Sequence, residues 1–229
     1  MEKIVIVGMG ETAQDIRFFI ERYQLFEIVG YAVNREYISS TQQDGLPVYA
    51  LEELEQHIDK NKVGLYVAIS EFHHLNREKR RVYTELKEKG FFFPNLVSPK
   101  ATILTDDIGD GNWICDFTYL DFQTRIGSNC VLRNYAYVGH YAKVGNHNFL
   151  GAKSMVGGNS TIDDQCFVGI NATIFNNVHV GSKCLIGGAT IVKKSMPDFS
   201  RCRVVSSTME YTQFGEAEIE DKLLPKKNK

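Results

Sequence analysis

The sequence has no apolar run near the roughly 18 residues that a membrane-spanning helix requires. It also has little net charge, −2 at pH 7, so it lacks the basic field that binds nucleic acid. The N-terminal stretch "MEKIVIVGMG" lacks the basic region, long apolar segment and cleavage site of a secretory signal. From these absences we expect a cytoplasmic protein with no membrane insertion and no nucleic-acid partner.

Cysteines are few and form no recognisable pair. The chain has 5 cysteines in 229 residues and no C-x-x-C motif, which argues against metal binding and redox chemistry. Cys130, Cys166 and Cys184 share one position of a six-residue repeat, a position that otherwise carries small side chains. We therefore predict reduced thiols with a structural role.

The first half of the chain alternates strand and helix patterns. The short β-branched runs "KIVIVG", "EIVGYAV" and "VGLYVAIS" predict strands, and they are followed by helical patterns in "ETAQDIRFFIERYQ", "ALEELEQHIDK" and "NREKRRVYTELKEKG". Strands alternating with helices are typical of βαβ units on a parallel sheet. Residues 1–95 therefore predict a small Rossmann-like domain, too short for a complete dinucleotide-binding fold.

The second half has a period of six. A branched aliphatic residue occupies every sixth position from Ile108 to Val192, in fifteen consecutive hexads. Glycine directly follows the aliphatic residue in nine of the fifteen. A small residue usually stands four places after it: Thr118, Thr124, Cys130, Ala136, Ala142, Ser154, Ser160, Cys166, Ala172, Cys184 and Thr190.

This pattern predicts a parallel β-helix over residues 96–200, followed by a C-terminal tail, 201–229. Each hexad supplies a short strand and a turn, and three hexads close one triangular coil, so fifteen hexads give five coils. The aliphatic side chains point inward and stack, and the small residues fill the corners. We expect the glycines to supply the turn dihedrals that a Cβ would resist.

The segments "VGHYAK", "VGNHNF", "LGAKSM", "VGINAT", "VGSKCL" and "IGGATIVKK" resemble the hexapeptide repeat of the left-handed β-helix acyltransferases. With a small Rossmann-like domain in front, the chain resembles the nucleotide-sugar N-acetyltransferases of bacterial glycan biosynthesis and the related sialic-acid O-acetyltransferases. The resemblance implies a left-handed helix, acetyl-CoA as acyl donor, a nucleotide-activated amino sugar as acceptor, no metal and a homotrimer.

The resemblance also assigns a catalytic residue. The histidine two places after the aliphatic residue of one hexad is the general base, and His140 of "VGHYAK" matches it. A neutral imidazole takes a proton near pH 7, as attack of an amine on a thioester requires. Many members carry an acid directly after this histidine, where this chain has Tyr141. We expect Tyr141 to be a second catalytic residue that orients the His140 ring through its hydroxyl, although it cannot supply a negative charge. A second histidine of the family is replaced by Phe149, with His147 two residues earlier.

Further residues follow from the same resemblance. Coenzyme A is expected beside Ile170 and Gly188 on later coils, with Phe149 near its thioester. In the first domain, the turn "VGMGETA" and the strand ends are expected to hold the nucleotide-sugar. The residues that correspond are Gly10, Thr12, Asn34, Arg35 and Ser70. Asn34 and Arg35 stand where NAD would require an acid, which argues against NAD.

Three alternatives stay open on the sequence alone: sugar O-acetylation of the sialic-acid type, a β-helix binding module without catalysis, and a zinc-dependent protein of the γ-carbonic-anhydrase kind. The adjacent His73 and His74 make a poor metal pair, because neighbouring side chains point in different directions. Six aromatic residues at non-core positions predict an association surface between copies or with the first domain. They are Trp113, Phe117, Tyr119, Phe122, Tyr135 and Tyr137.

Overall fold

The structure is a computed structural model of the chain, and it describes residues 1–69 and 75–204. Ser70, His73 and His74, as well as residues 205–229 of the predicted tail, lie outside the described residues. Within the described part, none of the helices is both long and apolar enough to cross a membrane.

The N-terminal domain is a five-stranded sheet with helices on both faces. The strands lie in the order β3-β4-β2-β1-β5 and are parallel except for β3. Ile4 and Ile6 pack on one face against the core that includes α1, and Val5 and Val7 on the other against α3. The elements are β1 (Lys3–Val7), α1 (Glu11–Tyr23), β2 (Glu27–Val33), β3 (Gln42–Gln43), β4 (Leu46–Ala50), α2 (Leu54–His57), β5 (Val63–Val67) and α3 (Arg77–Glu88). Short 3-10 turns cover Arg35–Tyr37 and Leu51–Glu53.

The hairpin β3–β4 is an element that the sequence interpretation missed. Asp44 and Gly45 form its tight turn, with φ of 53° and 78°. An Asp-Gly pair at positive φ is a strong hairpin signal. Pro47 sits in the edge pairing next to it, and proline weakens a strand prediction because it cannot donate a ladder hydrogen bond.

The remainder of the described chain is a parallel β-helix with three faces. Strands of two residues stack on the strand one coil away, mostly eighteen residues along the chain. The first face holds β6 (Leu96–Val97), β8 (Trp113–Ile114), β11 (Val131–Leu132), β14 (Phe149–Leu150), β17 (Phe167–Val168), β20 (Leu185–Ile186) and β22 (Arg201–Cys202). The second face holds β7 (Thr102–Ile103), β9 (Tyr119–Leu120), β12 (Tyr137–Val138), β15 (Met155–Val156), β18 (Thr173–Ile174) and β21 (Ile191–Val192). The third face holds β10 (Arg125–Ile126), β13 (Lys143–Val144), β16 (Thr161–Ile162) and β19 (His179–Val180).

The aliphatic column forms the core of the β-helix, as the hexad period predicts. From Ile114 to Val192 no member of the column is more than 3% exposed. Burial of each such side chain contributes about 1.5–3 kcal/mol before chain entropy is counted. The ladder starts earlier than Ile108, because β6 already pairs with β8 and β7 with β9. Ile108 itself is only partly buried against the core.

Turn geometry at the three corners contradicts the role expected for glycine. The residue in the left-handed region is the third after the aliphatic residue, and it is rarely glycine. Examples are Tyr141 (φ 56°), His147 (φ 59°) and Asn171 (φ 58°). Its backbone N–H is held by the coil below, as His147 N donates to Ser128 O at 2.8 Å.

Glycine directly after the aliphatic residue serves close approach between coils instead. A Cβ added to Gly139 would lie 2.8 Å from the backbone nitrogen of Gly158, and one added to Gly151 would lie 2.7 Å from that of Ile170. Backbone atoms cannot yield to such a contact, so these positions exclude side chains. Glycine at these positions therefore permits the close approach of two coils, and the corner conformation is carried by other residues.

The N-terminal domain covers the early coils of the first face. Phe19 of α1 packs edge-on against Trp113, with 5.6 Å between ring centroids, and the Tyr23 hydroxyl donates to Asp116 at 2.6 Å. Trp113 is only 5% exposed, so among the six aromatic residues proposed for association it belongs to the domain junction. Phe117, Phe122 and Tyr135 remain about half exposed.

All five cysteines are free thiols, as the sequence predicts. Cys130, Cys166 and Cys184 are buried at the small-residue position of the corners. Burial raises the pKa of Cys130 and of Cys166 to about 12, which keeps these two groups protonated and poorly nucleophilic near neutral pH.

Candidate functional site

We name the corners by the faces they join: the first corner joins the first and second faces, the second corner the second and third, and the third corner the third and first. His140 lies at the second corner, and its side chain is 49% exposed. Its ring sits between two neighbouring coils. On one side a Cβ added to Gly158 would come within 2.6 Å of the ring, so only glycine leaves the imidazole its place. On the other side lies the carboxylate of Asp121, with Nδ1 and Oδ2 3.9 Å apart.

Asp121 is a site residue that the sequence interpretation missed. Its Oδ1 accepts the backbone N–H of Phe122 at 2.7 Å, and its Oδ2 accepts the Tyr137 hydroxyl at 3.1 Å. The Phe122 N–H, followed by the Tyr137 hydroxyl and the nearby His140, holds the pKa of this carboxyl below its ordinary value. The eighteen-residue coil period was the available signal, because it places 121 and 122 next to 139 and 140.

Tyr141 lies beside His140 but does not replace an acid. Its ring meets the His140 ring edge-on, with 5.8 Å between centroids, and meets Phe122 in the same way at 5.8 Å. The contact with the histidine is therefore made by the rings and not by the hydroxyl. Tyr141 adds an apolar wall to the second corner.

His147 is remote from His140, because it lies at the third corner, on the other side of the third face. Its Nδ1 is 2.9 Å from Nδ2 of Asn129, and its ring meets Tyr83 of α3 edge-on at 5.6 Å. Burial, together with the charges of Lys79 and Arg80, lowers the pKa of His147 to about 4. This histidine stays neutral under physiological conditions and makes structural contacts.

The expected coenzyme A residues lie at the first corner and on the first face. Ile170 and Gly188 are neighbours on consecutive coils, since a Cβ on Gly188 would lie 3.2 Å from Ile170 O. Ile170 is 64% exposed, so its side chain is accessible beside Gly188. Phe149 stacks on Phe167 with 5.0 Å between ring centroids and packs against the core that includes α1. The whole second face separates Ile170 and Gly188 from His140.

A cleft of about 580 Å³ opens in the N-terminal domain at the carboxyl ends of β1 and β2. Gly10 lines it and caps the N-terminus of α1, and Asn34 lines it from the end of β2. Gly8 has φ of 128°, and an added Cβ would lie 2.8 Å from Ala68 O, so this turn requires glycine. The other lining residues are Val7, Met9, Ala32, Val33, Glu36, Tyr37, Leu51, Ile69, Glu78, Arg81 and Val82.

Two of the expected substrate residues are not among those that line this cleft. Thr12 lies in the first turn of α1, beyond the lining residues. Arg35 is turned to the acidic 3-10 turn, where its backbone N–H donates to Glu52 at 3.1 Å and its guanidinium pairs with Glu53. The arginine that does line the cleft is Arg81 of α3, which the sequence interpretation missed.

Arg81 is bound by acidic neighbours on its own helix. Its guanidinium contacts Glu78 at 2.9 Å and Glu85 at 2.9 Å, and the bonds to both glutamates raise its pKa. A phosphate entering the cleft would therefore compete with two carboxylates for this group.

The third face carries polar side chains and one further histidine. His179 Nε2 lies 2.8 Å from Asp163 Oδ2, and Arg125 and Lys143 stand on the earlier strands of the same face. Among residues 1–69 and 75–204, no group of three or more histidine, cysteine, aspartate or glutamate side chains is placed to hold a metal ion.

Comparison with known proteins gives matches at the level of structure. No family model and no curated protein matches the sequence. A perosamine N-acetyltransferase from Caulobacter crescentus, solved as a histidine variant with CoA and GDP-perosamine, is similar with a TM-score of 0.73 and 19% identity, over 90% of this chain and 98% of that one. The acetyltransferase domain of PglB from Neisseria gonorrhoeae, solved with acetyl coenzyme A, gives 0.75 and 18%, over 89% and 99%.

WeeI from Acinetobacter baumannii is similar with a TM-score of 0.75 and 20% identity, over 90% of this chain and 100% of that one. Likeness at this identity concerns the fold. It confirms the architecture that the hexapeptide resemblance implies, a small N-terminal α/β domain followed by a left-handed parallel β-helix.

Proposed function

We propose that the protein transfers an acetyl group from acetyl-CoA to the amino group of a nucleotide-activated sugar in bacterial surface-glycan biosynthesis, with His140 as general base. The observation that carries the proposal is the exposed His140 ring at a β-helix corner, set between Gly158 and the Asp121 carboxylate. The proposal is supported by similarity in fold, over about nine-tenths of the chain, to N-acetyltransferases solved with CoA or acetyl coenzyme A.

The chemistry asks little beyond one base. The sugar amine attacks the thioester carbonyl, a C–N bond forms, the C–S bond breaks and the sulfur leaves as a thiolate. The attacking nitrogen must give up a proton, which the His140 imidazole accepts and then passes to the departing thiolate. The exposed ring leaves room for an acceptor amine to approach.

The two substrates would occupy different parts of the chain. The nucleotide end would lie in the cleft beside Gly10 and Asn34, at the N-terminus of α1, where backbone N–H groups and the helix dipole favour phosphate. The pantetheine arm of coenzyme A would lie along Ile170 and Gly188. Thr12, Arg35 and Ser70 are retained as candidates near the nucleotide, and Phe149 near the acyl donor.

This arrangement favours an assembly of copies, and the hexapeptide resemblance implies that the assembly is a homotrimer. In one chain the second face separates His140 from Ile170 and Gly188, so a single copy cannot bring both to one acyl group, whereas two adjacent copies can. The exposed rings of Phe117, Phe122 and Tyr135 supply apolar area for that contact. Sedimentation equilibrium at micromolar concentration should give three times the chain mass of 26.0 kDa. A stable monomer would contradict the intersubunit site.

Release of free thiol from acetyl-CoA, measured with a panel of nucleotide amino sugars, tests the function directly. Matching sugars that carry only hydroxyl groups belong in the panel, because thiol release with them alone would indicate O-acetylation. Titration of the full chain with UDP-, dTDP-, GDP- and CMP-sugars tests whether the cleft binds the nucleotide, and NADH is the control. Nucleotide-sugar binding without thiol release from any acceptor would favour a binding module.

A further inference from the structure

We propose that Asp121 is the positioning residue of His140, acting from the neighbouring coil of the β-helix. The inference rests on the proposed function, since it concerns how the same base is held and charged. The residue next to the histidine in the chain, Tyr141, cannot supply a negative charge. Among the described residues, Asp121 is the carboxylate that forms an ion-pair contact with His140, at 3.9 Å.

The carboxylate is fixed before any substrate arrives. Oδ1 is held by the Phe122 N–H, and Oδ2 by the Tyr137 hydroxyl, at 2.7 Å and 3.1 Å. Tyr137 is itself stacked on Tyr119, with 5.7 Å between ring centroids. The side chain of Asp121 therefore has little freedom to turn away from the histidine.

The imidazole is confined from the opposite side. Three ring atoms of His140 lie between 2.6 and 3.1 Å from the place a Gly158 Cβ would occupy, so the ring rests directly on the glycine. Confinement between Gly158 and Asp121 directs Nδ1 to the carboxylate. Nε2 is then the nitrogen left to meet the acceptor.

The separation of 3.9 Å is longer than a hydrogen bond and falls within ion-pair range. A movement of about 1 Å would close it, and such catalytic contacts commonly tighten only when substrate binds. A carboxylate at Nδ1 favours the tautomer that carries its proton there and keeps the Nε2 lone pair free. It also stabilises the imidazolium that forms when His140 accepts the proton from the amine.

Asp121→Asn tests the inference, because the amide keeps the shape and removes the charge. We expect kcat to fall about 10- to 100-fold while KM for both substrates changes less than about twofold. Asp121→Glu, which keeps the charge, should recover part of the loss. The matched control is Asp163→Asn: Asp163 holds the same hexad position and pairs with His179 at 2.8 Å on the third face. That variant should leave kcat unchanged.

A second readout needs no substrate. The ¹⁵N NMR spectrum of the full chain reports the tautomer of His140, whose signals are assigned because they are missing in His140→Ala. Asp121→Asn should lower the fraction of His140 rings that carry the proton on Nδ1. If Asp121→Asn lowers the melting temperature enough to prevent assay, Tyr137→Phe replaces it. That variant removes only one hydroxyl from Oδ2 and should reduce kcat about 2- to 5-fold.

The outcomes separate the inference from the function. Normal kcat and an unchanged tautomer in Asp121→Asn, with His140→Ala inactive, would overturn the role of Asp121 and leave the base in place. Full activity of His140→Ala would instead show that His140 is not the general base, which would contradict the proposed function. A fall in kcat that Asp163→Asn reproduces would show a general effect of surface charge and would also overturn the inference.

Discussion

His140 and His147 lie seven residues apart on the same solenoid, and their surroundings differ in almost every respect. His140 is half exposed, rests on a glycine and faces a carboxylate. His147 is largely covered by α3, meets Tyr83 and Asn129, and has Lys79 and Arg80 nearby. The second corner leaves its histidine accessible beside a carboxylate, and the third corner lowers the pKa of its histidine by burial and by nearby positive charges.

The difference shows that the repeat determines the backbone conformation of a corner, whereas the residues packed around the corner determine the environment of its histidine. At the second corner, His140 and Tyr141 meet residues of the coils next to them, namely Asp121, Phe122 and Gly158. The third corner is covered by α3, which contacts several coils through Tyr83 to Asp110, Lys79 to Asn129 and Arg80 to Gln165.

The largest expected effect separates the two histidines by activity. His140→Ala should lower turnover by roughly 10²–10⁴, the range for loss of a general base. His147→Ala should leave turnover of the folded enzyme within about twofold, because its ring does not approach His140. Steady-state thiol release at saturating acetyl-CoA measures both.

The effects of the two variants on stability should have the opposite order, with the larger loss in His147→Ala. His147→Ala removes a partly buried ring and its contact with Asn129, so we expect a loss of about 1–3 kcal/mol in the free energy of unfolding. His140→Ala opens no core cavity and should unfold at the wild-type urea midpoint. Equal loss of turnover in the two variants would mean that the corners are not chemically distinct.

The next effect is a pH dependence specific to His147. Its pKa is lowered to about 4 in the folded chain from an ordinary value of 6.5. Between these values the unfolded chain binds the proton and the folded chain does not, so stability falls as pH decreases from 6.5 to 4. His147 changes the free energy of unfolding by at most about 1.4 kcal/mol per pH unit, and this change ends below its pKa in the folded chain.

Urea unfolding of the wild type and His147→Ala, from pH 4 to 7.5 at one protein concentration, isolates this contribution. The two curves should be parallel above pH 6.5, and the wild type should lose stability more steeply below it. Parallel curves throughout would show that His147 titrates normally in the folded protein, and that α3 does not exclude water from it.

Much of the fold could be predicted from periodic patterns in the sequence. The aliphatic hexads predict the solenoid, and the runs at β1, α1, β2 and α3 predict the parallel sheet with its helices. The β3–β4 hairpin was missed because Pro47 obscured a short strand. The role of glycine was assigned wrongly, because the hexad shows where the glycines stand, whereas the crowding that requires them is a contact between coils about eighteen residues apart.

The site could be predicted only in part for the same reason. His140 has a position within its hexad, which a sequence pattern can register. Asp121 contributes from another coil and becomes visible only when the sequence is written in rows of eighteen. The covering of His147 by α3 and the turning of Arg35 to Glu53 depend on packing of non-periodic segments, and no repeat predicts these contacts.

The last expected effect concerns Gly158, the glycine on which the His140 ring rests. Gly158→Ala would place a methyl group 2.6 Å from His140 Cε1, and the exposed ring can move aside at little cost in stability. The displaced ring would lose its orientation toward Asp121, so we expect turnover to fall about tenfold with an unchanged melting temperature. In the His140→Ala background the same glycine change should have no further effect, because no ring remains to displace. Additive losses in the double variant would show that Gly158 acts on the acceptor or on the coil itself, and that the ring is not held between glycine and carboxylate.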